Sequence, residues 1–336
     1  PTLVPQATAT QTPSHTPTPV HQATATQTPS HTPTLVPQAT ATQTPSHTPT
    51  PVHQATATQT PSEGISGPQW QASYISVGSN HTCAITTTGG GKCWGSHASG
   101  QLGNGGVPDR WTPWDVSGLK YYVADISSGG SHTCAVTTTG GIKCWGSNAH
   151  GQLGDGNPWY ARENSTGGAV INVQNDGNAA IAAGTYHSCA LTINGAVQCW
   201  GYNASGQLGN GTSNDRTYPS YVQGISYGAK DISAGGNHTC VVTESNGVKC
   251  WGHGGNFQLG QLEPDSTNSY NVPVDVDGLD KGVASVSAGA DHTCALTTEG
   301  GIKCWGSNGN GRLGYGGVTD YAIPIDVSGL ESGVAV

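Results

Sequence analysis

Ten cysteines fall into five pairs, and the two members of each pair are ten residues apart. The pairs are Cys83 and Cys93, Cys134 and Cys144, Cys189 and Cys199, Cys240 and Cys250, and Cys294 and Cys304. Each pair lies in a copy of one segment, which reads HTCAVTTTGGIKCWG from His132, and successive copies are 51 to 55 residues apart. A fixed period of this length is typical of stacked repeats and of propeller blades.

A single repeat contains only short strand patterns. Residues 125–127, 134–137 and 142–146 read as strands, and the last two alternate in polarity around a turn at 139–141. A fourth strand led by proline follows in four units, at 113–116, 219–222, 273–276 and 324–327. No segment has a helical period. The sequence therefore predicts an all-β fold, a β-propeller of about five to seven four-stranded blades.

The cysteine spacing predicts one disulfide in each blade. Residues ten apart face each other across a hairpin with a three- or five-residue loop, at about 4.5–5.5 Å between Cα atoms, which a disulfide can bridge. A two-residue turn at Asn194-Gly195 would change this register, so we expect a longer loop there. Zinc is the alternative, but it prefers CxxC knuckles or Cys/His clusters, which do not occur. Five disulfides indicate an oxidising compartment.

The segment from His132 to Gly156, HTCAVTTTGGIKCWGSNAHGQLGDG, resembles the regulator of chromosome condensation repeat of secreted bacterial proteins. The resemblance covers residues 70–336 and recurs five times. It implies a β-propeller, typically of seven blades. The five complete units and the start of a sixth first strand at residues 333–336 leave three arrangements open: a fragment, a ring closed by that strand against residues 74–77, or an open arc.

Residues 1–62 differ in kind from the propeller region, which spans residues 63–336. They contain no Gly, Cys, Asp, Glu, Lys or Arg, hold 12 of the 20 prolines, and repeat every 16 residues. Such a segment buries too little apolar surface to offset its chain entropy. We expect a disordered or polyproline II stalk, with the Thr/Ser/Pro composition of O-glycosylated stalks.

Residues shared by all units serve the blade, so we expect specific function where the units differ. The variable segments carry aromatic side chains and an arginine, which dominate protein interfaces. The candidate ligand-binding residues are Trp111, Trp114, Tyr121, Tyr122, Trp159, Tyr160, Arg162, Tyr218 and Tyr221. The alternative is that many of them only cover blade edges.

The repeated histidines and tryptophans have structural interpretations. We expect each histidine to bond to the backbone of a neighbouring blade, and each tryptophan to pack between blades. The alternative for the histidines is a ring that lines a central channel and binds a metal. The histidines are His81, His132, His187, His238 and His292, and the tryptophans are Trp94, Trp145, Trp200, Trp251 and Trp305.

Signals of catalysis, metal or cofactor binding are weak. A G-x-S-x-G match at residues 224–228 precedes a repeat strand rather than joining a strand to a helix. Asp275, Asp277 and Asp280 lie close together in sequence but do not provide the oxygens that calcium requires. N-glycosylation sequons start at Asn80, Asn164, Asn203, Asn210 and Asn237. We predict no catalytic residue, no metal and no cofactor.

These observations predict an extracellular or cell-surface, non-enzymatic binding or adhesion module whose variable rim loops hold a protein or glycan. The net charge of -9 disfavours nucleic acid, and without a run of about 18 apolar residues we expect no membrane insertion. One alternative is a structural subunit of an extracellular filament or sheath, formed by self-association. Another is a secreted propeller-type enzyme inhibitor, since a β-lactamase inhibitor belongs to a similar propeller type.

Overall fold

The computed structural model describes residues 70–106, 108–156, 164–171, 177–262 and 269–335, with the backbone alone for 164–171. The predicted stalk at residues 1–62 lies outside this part of the chain. The described residues form strands, turns and loops, and contain no helix. Accordingly, no described helix is long and apolar enough to cross a bilayer.

Within the described residues, twenty strands form five separate four-stranded antiparallel sheets, and each sheet consists of four consecutive strands. We call these sheets blades 1 to 5. Blade 1 contains β1 Ala72–Val77, β2 His81–Thr86, β3 Gly91–Gly95 and β4 Arg110–Asp115. Blade 2 contains β5 Val123–Ser128, β6 His132–Thr137, β7 Ile142–Gly146 and β8 Asn164–Ile171. Blade 3 contains β9 Asn178–Ala183, β10 His187–Thr192, β11 Val197–Gly201 and β12 Arg216–Tyr221.

The last two blades repeat the same order. Blade 4 contains β13 Asp231–Ala234, β14 His238–Val242, β15 Val248–His253 and β16 Ser269–Asp275. Blade 5 contains β17 Val283–Ala288, β18 His292–Thr297, β19 Ile302–Gly306 and β20 Tyr321–Asp326. The fourth strands that have a central proline begin earlier than predicted: in blade 1 the strand starts at Arg110 and contains Pro113. Proline is tolerated there because this strand is the edge of its sheet.

The central hairpin of every blade places the two cysteines directly opposite each other. All five pairs are joined as disulfides with 4.1 Å between the Cα atoms, and no described cysteine is free. In blade 3, Leu191 pairs with Val197, so Asn194-Gly195 lies inside a longer loop as predicted.

The hydrophobic core lies between the blades. We call each junction between two successive blades a seam. The cluster at the first seam joins Cys83, Ile85 and Leu102 of blade 1 to Ile126 and Trp145 of blade 2. The next seams repeat this pattern with Trp200, Trp251 and Trp305. Each blade therefore buries its apolar surface only when the next blade packs on it.

Blade 1 has one face that no described blade covers. Val77 of β1 is 72% exposed and Ile75 is 58% exposed, whereas Ile126, at the position of Ile75 in blade 2, is fully buried. Strand β1 pairs with β2 alone, and Val334 donates its backbone N–H to Gly300 O in a loop of blade 5. The closing strand considered from the sequence is therefore not formed by the described residues up to Ala335.

Candidate binding surface

The repeated histidines belong to a hydrogen-bonded relay that crosses each seam. His132 Nε2 lies 2.9 Å from Ser188 Oγ of the next blade, and Ser188 Oγ donates to Gln152 O at 2.9 Å. Because the hydroxyl proton is used by the carbonyl, the histidine Nε2 must donate. The other three described seams use Thr133, Thr239 and Thr293 in the same way. The predicted backbone partner was wrong: the histidine bonds to a side-chain hydroxyl.

Burial keeps these imidazoles neutral. It lowers the pKa of His132, His187 and His238 to about 3, and that of His81 to about 4. Each Nδ1 is buried without a hydrogen-bond partner, as expected for a neutral ring that donates through Nε2. The histidines lie in the seams, and the described residues contain no group of three or more potential metal-ligating side chains.

The repeated tryptophans complete the seams. Trp145 Nε1 donates to Gln101 O of the preceding blade at 2.9 Å, and Trp200 bonds to Gln152 O at the same distance. Trp251 and Trp305 do likewise, and all four side chains are fully buried. Trp94, on the uncovered side of blade 1, is only half-buried. The side chains shared by the units are thus used inside the fold.

Blade 1 carries two of the candidate tryptophans on β4. The Trp111 side chain is 93% exposed. Trp114 is about half exposed, and the Arg110 guanidinium carbon lies 4.0 Å from the centroid of its ring. This cation–π contact holds the Trp114 ring while part of the ring remains exposed to solvent.

Tyr121 and Tyr122 lie in the loop between β4 and β5. Their rings are 6.2 Å apart and edge-on, and Lys120 Nζ lies 5.4 Å from the Tyr121 centroid. Tyr122 has a φ of 68°, a left-handed conformation that is costly for a bulky side chain. Three other units have glycine at this loop position, and their φ angles are 79°, 80° and 82° at Gly228, Gly282 and Gly333.

Two of the remaining candidates lie in blade 3, and the other three lie outside the described residues. Tyr218 and Tyr221 lie on β12, each about half exposed, and Arg216 donates to the Tyr218 hydroxyl at 3.3 Å. Trp159, Tyr160 and Arg162 lie outside the described residues. Four candidates, Trp111, Trp114, Tyr218 and Tyr221, are therefore on outer strands and not in rim loops as expected.

One aromatic cluster was missed from the sequence. His150 of blade 2 lies 4.7 Å from the Tyr202 ring and 5.3 Å from the Tyr186 ring, both of blade 3. Its Nδ1 is 3.3 Å from Asp215 Oδ2. The preceding unit has serines at the two tyrosine positions. Alignment of the repeats therefore distinguishes these two tyrosines as specific to one unit. The cluster joins the two blades.

Two further sequence features are resolved by the fold. The G-x-S-x-G match lies in the loop between β12 and β13 and does not form a strand-to-helix turn. Asn203 is fully buried, and its Nδ2 donates to Thr212 O at 2.9 Å and Asn214 O at 3.0 Å, so this sequon is inaccessible in the folded chain. Asn80, by contrast, is exposed.

Five blades built from one repeated hairpin, with the same relay across their seams, define a repeat protein of the β-propeller class. A sequence profile described as the RCC1-like domain matches residues 25–335. The chain belongs to this family, as the repeat motif indicated.

The relatives are larger proteins. The chain is 30% identical to the ultraviolet-B receptor UVR8 of Arabidopsis thaliana over 264 residues, which cover 76% of this chain and 58% of the receptor. It is 31% identical to human E3 ubiquitin-protein ligase HERC2 over 271 residues, 5% of that ligase. The chain thus spans little more than half of the first relative and a small part of the second.

Solved structures agree on the fold. Human WBSCR16 superposes with a TM-score of 0.67 at 24% identity, covering 78% of this chain and 68% of that one. Yeast RCC1 (Prp20), in a crystal structure with bound Kap60, gives a TM-score of 0.64 at 20% identity, covering 76% and 63%. At these identities the likeness shows the fold alone.

Proposed function

We propose that this propeller is a non-enzymatic binding module that acts outside the cell or on its surface. Aromatic side chains that differ between the units hold a protein or glycan partner. We also propose that residues 1–62 act as a passive spacer, on the basis of their composition.

The exposure of unit-specific aromatic residues carries this proposal. Trp111, Tyr121 and Tyr122 are exposed on blade 1 or on the loop that follows it. The repeated tryptophan of the next blade, Trp145, is by contrast fully buried in the seam. Trp and Tyr are enriched among the few residues that carry most of the binding energy at protein interfaces. The left-handed backbone at Tyr122 adds support, because strained non-glycine residues concentrate at functional positions.

The disulfides support the proposed location. All five cysteine pairs are joined, and disulfides of this density persist in oxidising compartments. The proposed absence of enzyme activity is supported by the use of the repeated histidines in the seams, where burial lowers their pKa far below the physiological range.

Relatives favour a partner-binding role. One relative is an ultraviolet-B receptor, and yeast RCC1 has been crystallised with Kap60 bound. The propeller fold is therefore compatible with protein recognition, and we extend that role to this chain.

The test is a comparison of binding-site variants of the full chain on arrays of extracellular proteins and glycans. We expect the wild type to bind at least one arrayed partner. The Trp111→Ala, Tyr121→Ala double variant should weaken that binding at least about tenfold, the scale of one interface hot spot, with an unchanged melting temperature. Val318→Ala, an exposed apolar change in blade 5, is the control. Equal binding by the double variant and the wild type would reject the proposal.

One observation favours the filament alternative. The face of blade 1 that no described blade covers exposes Ile75 and Val77, and an exposed apolar sheet face promotes association between copies. Sedimentation of the wild type and an Ile75→Asp variant distinguishes the two roles. A filament subunit should form large species that the substitution abolishes, whereas an independent binding module should remain monomeric at high concentration.

A further inference from the structure

A hollow of about 450 Å³ opens at the seam between blades 3 and 4. Its walls are the loop between β12 and β13 and the hairpin loop between β14 and β15. Tyr227, Thr243, Glu244, Ser245 and Lys249 supply its functional groups. The volume falls within the range of small-molecule sites, about 300–1,000 Å³.

Tyr227 and Glu244 are unused by the fold. The Tyr227 side chain is 71% exposed, and the Glu244 side chain is also exposed. Within the described part of the chain, neither side chain makes a hydrogen bond or an ion pair. Gly228 makes room for the carboxylate: a Cβ there would lie 3.0 Å from Glu244 Cβ and 3.1 Å from its Oε2. A free acceptor and a free aromatic ring therefore line the same hollow.

The other groups in the hollow are fixed by neighbours. Lys249 Nζ lies 2.6 Å from Asp275 Oδ1. Thr243 Oγ1 and Ser245 Oγ are 3.0 Å apart. The hollow thus combines an aromatic ring, a carboxylate, an ammonium and hydroxyl groups, which together offer both donors and acceptors.

This combination fits a saccharide better than a cation. A sugar ring has an apolar C–H face for an aromatic ring and hydroxyl groups that donate to a carboxylate in short, strong hydrogen bonds. An organic cation would use several aromatic faces, whereas this hollow has one ring and the positive charge of Lys249. We propose that the hollow is a saccharide subsite, in which Tyr227 stacks on one hexose ring and Glu244 accepts hydrogen bonds from its hydroxyl groups. The inference rests on the proposed binding role and names the ligand class at one further position.

The next seam provides a matched control. An equivalent hollow of about 360 Å³ lies between blades 4 and 5. There Lys281 takes the position of Tyr227 and Thr298 takes that of Glu244. This second hollow is formed by the equivalent loops but lacks the aromatic ring, so we expect it to bind no saccharide.

The experiment titrates the full chain with the methyl glycosides of glucose, galactose, mannose and N-acetylglucosamine, and with choline as a cation probe. Calorimetry or ligand-observed NMR measures the affinity. We expect one glycoside to bind with a Kd of roughly 1 mM, the weak end of specific affinities. Tyr227→Ala should weaken binding at least about tenfold, which corresponds to the loss of one strong contact. Glu244→Gln should weaken it less, and Tyr227→Phe should retain it because the ring remains.

Lys281→Ala and Thr298→Ala, in the second hollow, should leave the affinity unchanged. Absence of glycoside binding would overturn the inference, as would equal affinity in Tyr227→Ala or binding of choline alone. Because the Trp111 and Tyr121 variants test the proposed function separately, failure of this subsite is distinguishable from failure of that function.

Discussion

At the residue scale, the comparison of equivalent positions separates side chains that build the fold from those free for another role. Tyr122 is the clearest case. Glycine adopts a left-handed backbone without steric cost, and Gly228, Gly282 and Gly333 use this freedom at the same loop position. Tyr122 adopts it with a large, exposed side chain. The fold alone therefore favours glycine at residue 122.

Tyr122→Gly should increase the free energy of unfolding by about 1 kcal/mol, because the left-handed strain of a non-glycine residue disappears. The same substitution should reduce partner binding if Tyr122 contacts the partner. Denaturant unfolding and the binding assay measure the two effects independently.

The reverse change at Gly282 is the control for this prediction. A Cβ at Gly282 would meet no atom within 4 Å, so Gly282→Ala isolates the backbone cost. It should lower the free energy of unfolding by about 1 kcal/mol. A Tyr122→Gly variant less stable than the wild type would contradict the account of strain.

The buried histidines predict loss of stability in acid. Unfolded histidine binds a proton below pH 6.5, whereas His132, His187 and His238 in the folded chain have a pKa of about 3. Between these values the unfolded state binds more protons, so stability decreases as pH falls below 6.5. Burial raises the pKa of Asp125 and Asp231, so these two carboxyl groups oppose this slope as pH falls through their raised pKa. Urea unfolding at pH 7.5, 6.5, 5.5 and 4.5 measures the slope.

A His132→Gln variant checks the assignment. It removes one titrating group, so the slope below pH 6.5 should decrease by up to about 1.4 kcal/mol per pH unit, the value for one proton. An unchanged slope would show that the acid sensitivity arises elsewhere.

At the element scale, the seam is the unit of stability. At the first seam, Thr133 Oγ1 connects His81 Nε2 at 2.8 Å to Gln101 O at 2.8 Å. Thr133 is fully buried, so no water can replace these bonds. The Thr133 hydroxyl therefore links blade 2 to blade 1. Without it, the N–H of His81 Nε2 would have no hydrogen-bond partner.

Thr133→Val should destabilise the protein by about 1–3 kcal/mol, because the shape is retained while a buried donor on His81 is left without a partner. Thermal unfolding measures the effect. Thr138→Val, at an exposed position of the same blade, is the matched control and should change the melting temperature little. Equal effects of the two substitutions would argue against the relay.

The elements themselves were predictable from the sequence because their determinants are local. Alternation around a turn and cysteines ten residues apart fix the central hairpin, including the longer loop at Asn194-Gly195 in blade 3. Contacts between blades could not be predicted in this way, because they join residues that are far apart in the sequence. His150 meets Tyr186 and Tyr202 only when blades 2 and 3 pack, and the hydroxyl partner of each histidine lies 52 to 56 residues away.

At the scale of the whole molecule, the period of the repeat was sufficient to predict the propeller, which the family match and the solved structures confirm. The placement of the binding candidates was not predictable in the same way. Trp111 and Tyr218 are on outer strands because the fourth strands begin before their prolines. The hollow at Tyr227 requires two loops of different blades, and no sequence period indicates which loops meet.

No described blade follows blade 5, and the disulfide of this blade differs from the other four. Nine cysteines are buried, whereas Cys294 is only partly buried. A thiolate must reach a disulfide sulfur to reduce it, so access controls the rate. We therefore expect the bond between Cys294 and Cys304 to be reduced first under native conditions.

Alkylation without reductant should label no thiol in the native protein, since all five pairs are joined. A short exposure to dithiothreitol followed by iodoacetamide and peptide mass mapping should label Cys294 and Cys304 before the other eight cysteines. Unfolding in guanidinium should make all five pairs react at similar rates, because burial then no longer protects them. If the untreated protein reacts with iodoacetamide at ten thiols, both the disulfides and the proposed extracellular location are rejected. If the bond between Cys134 and Cys144 is reduced first, accessibility does not set the order and blade 5 is not the exposed end.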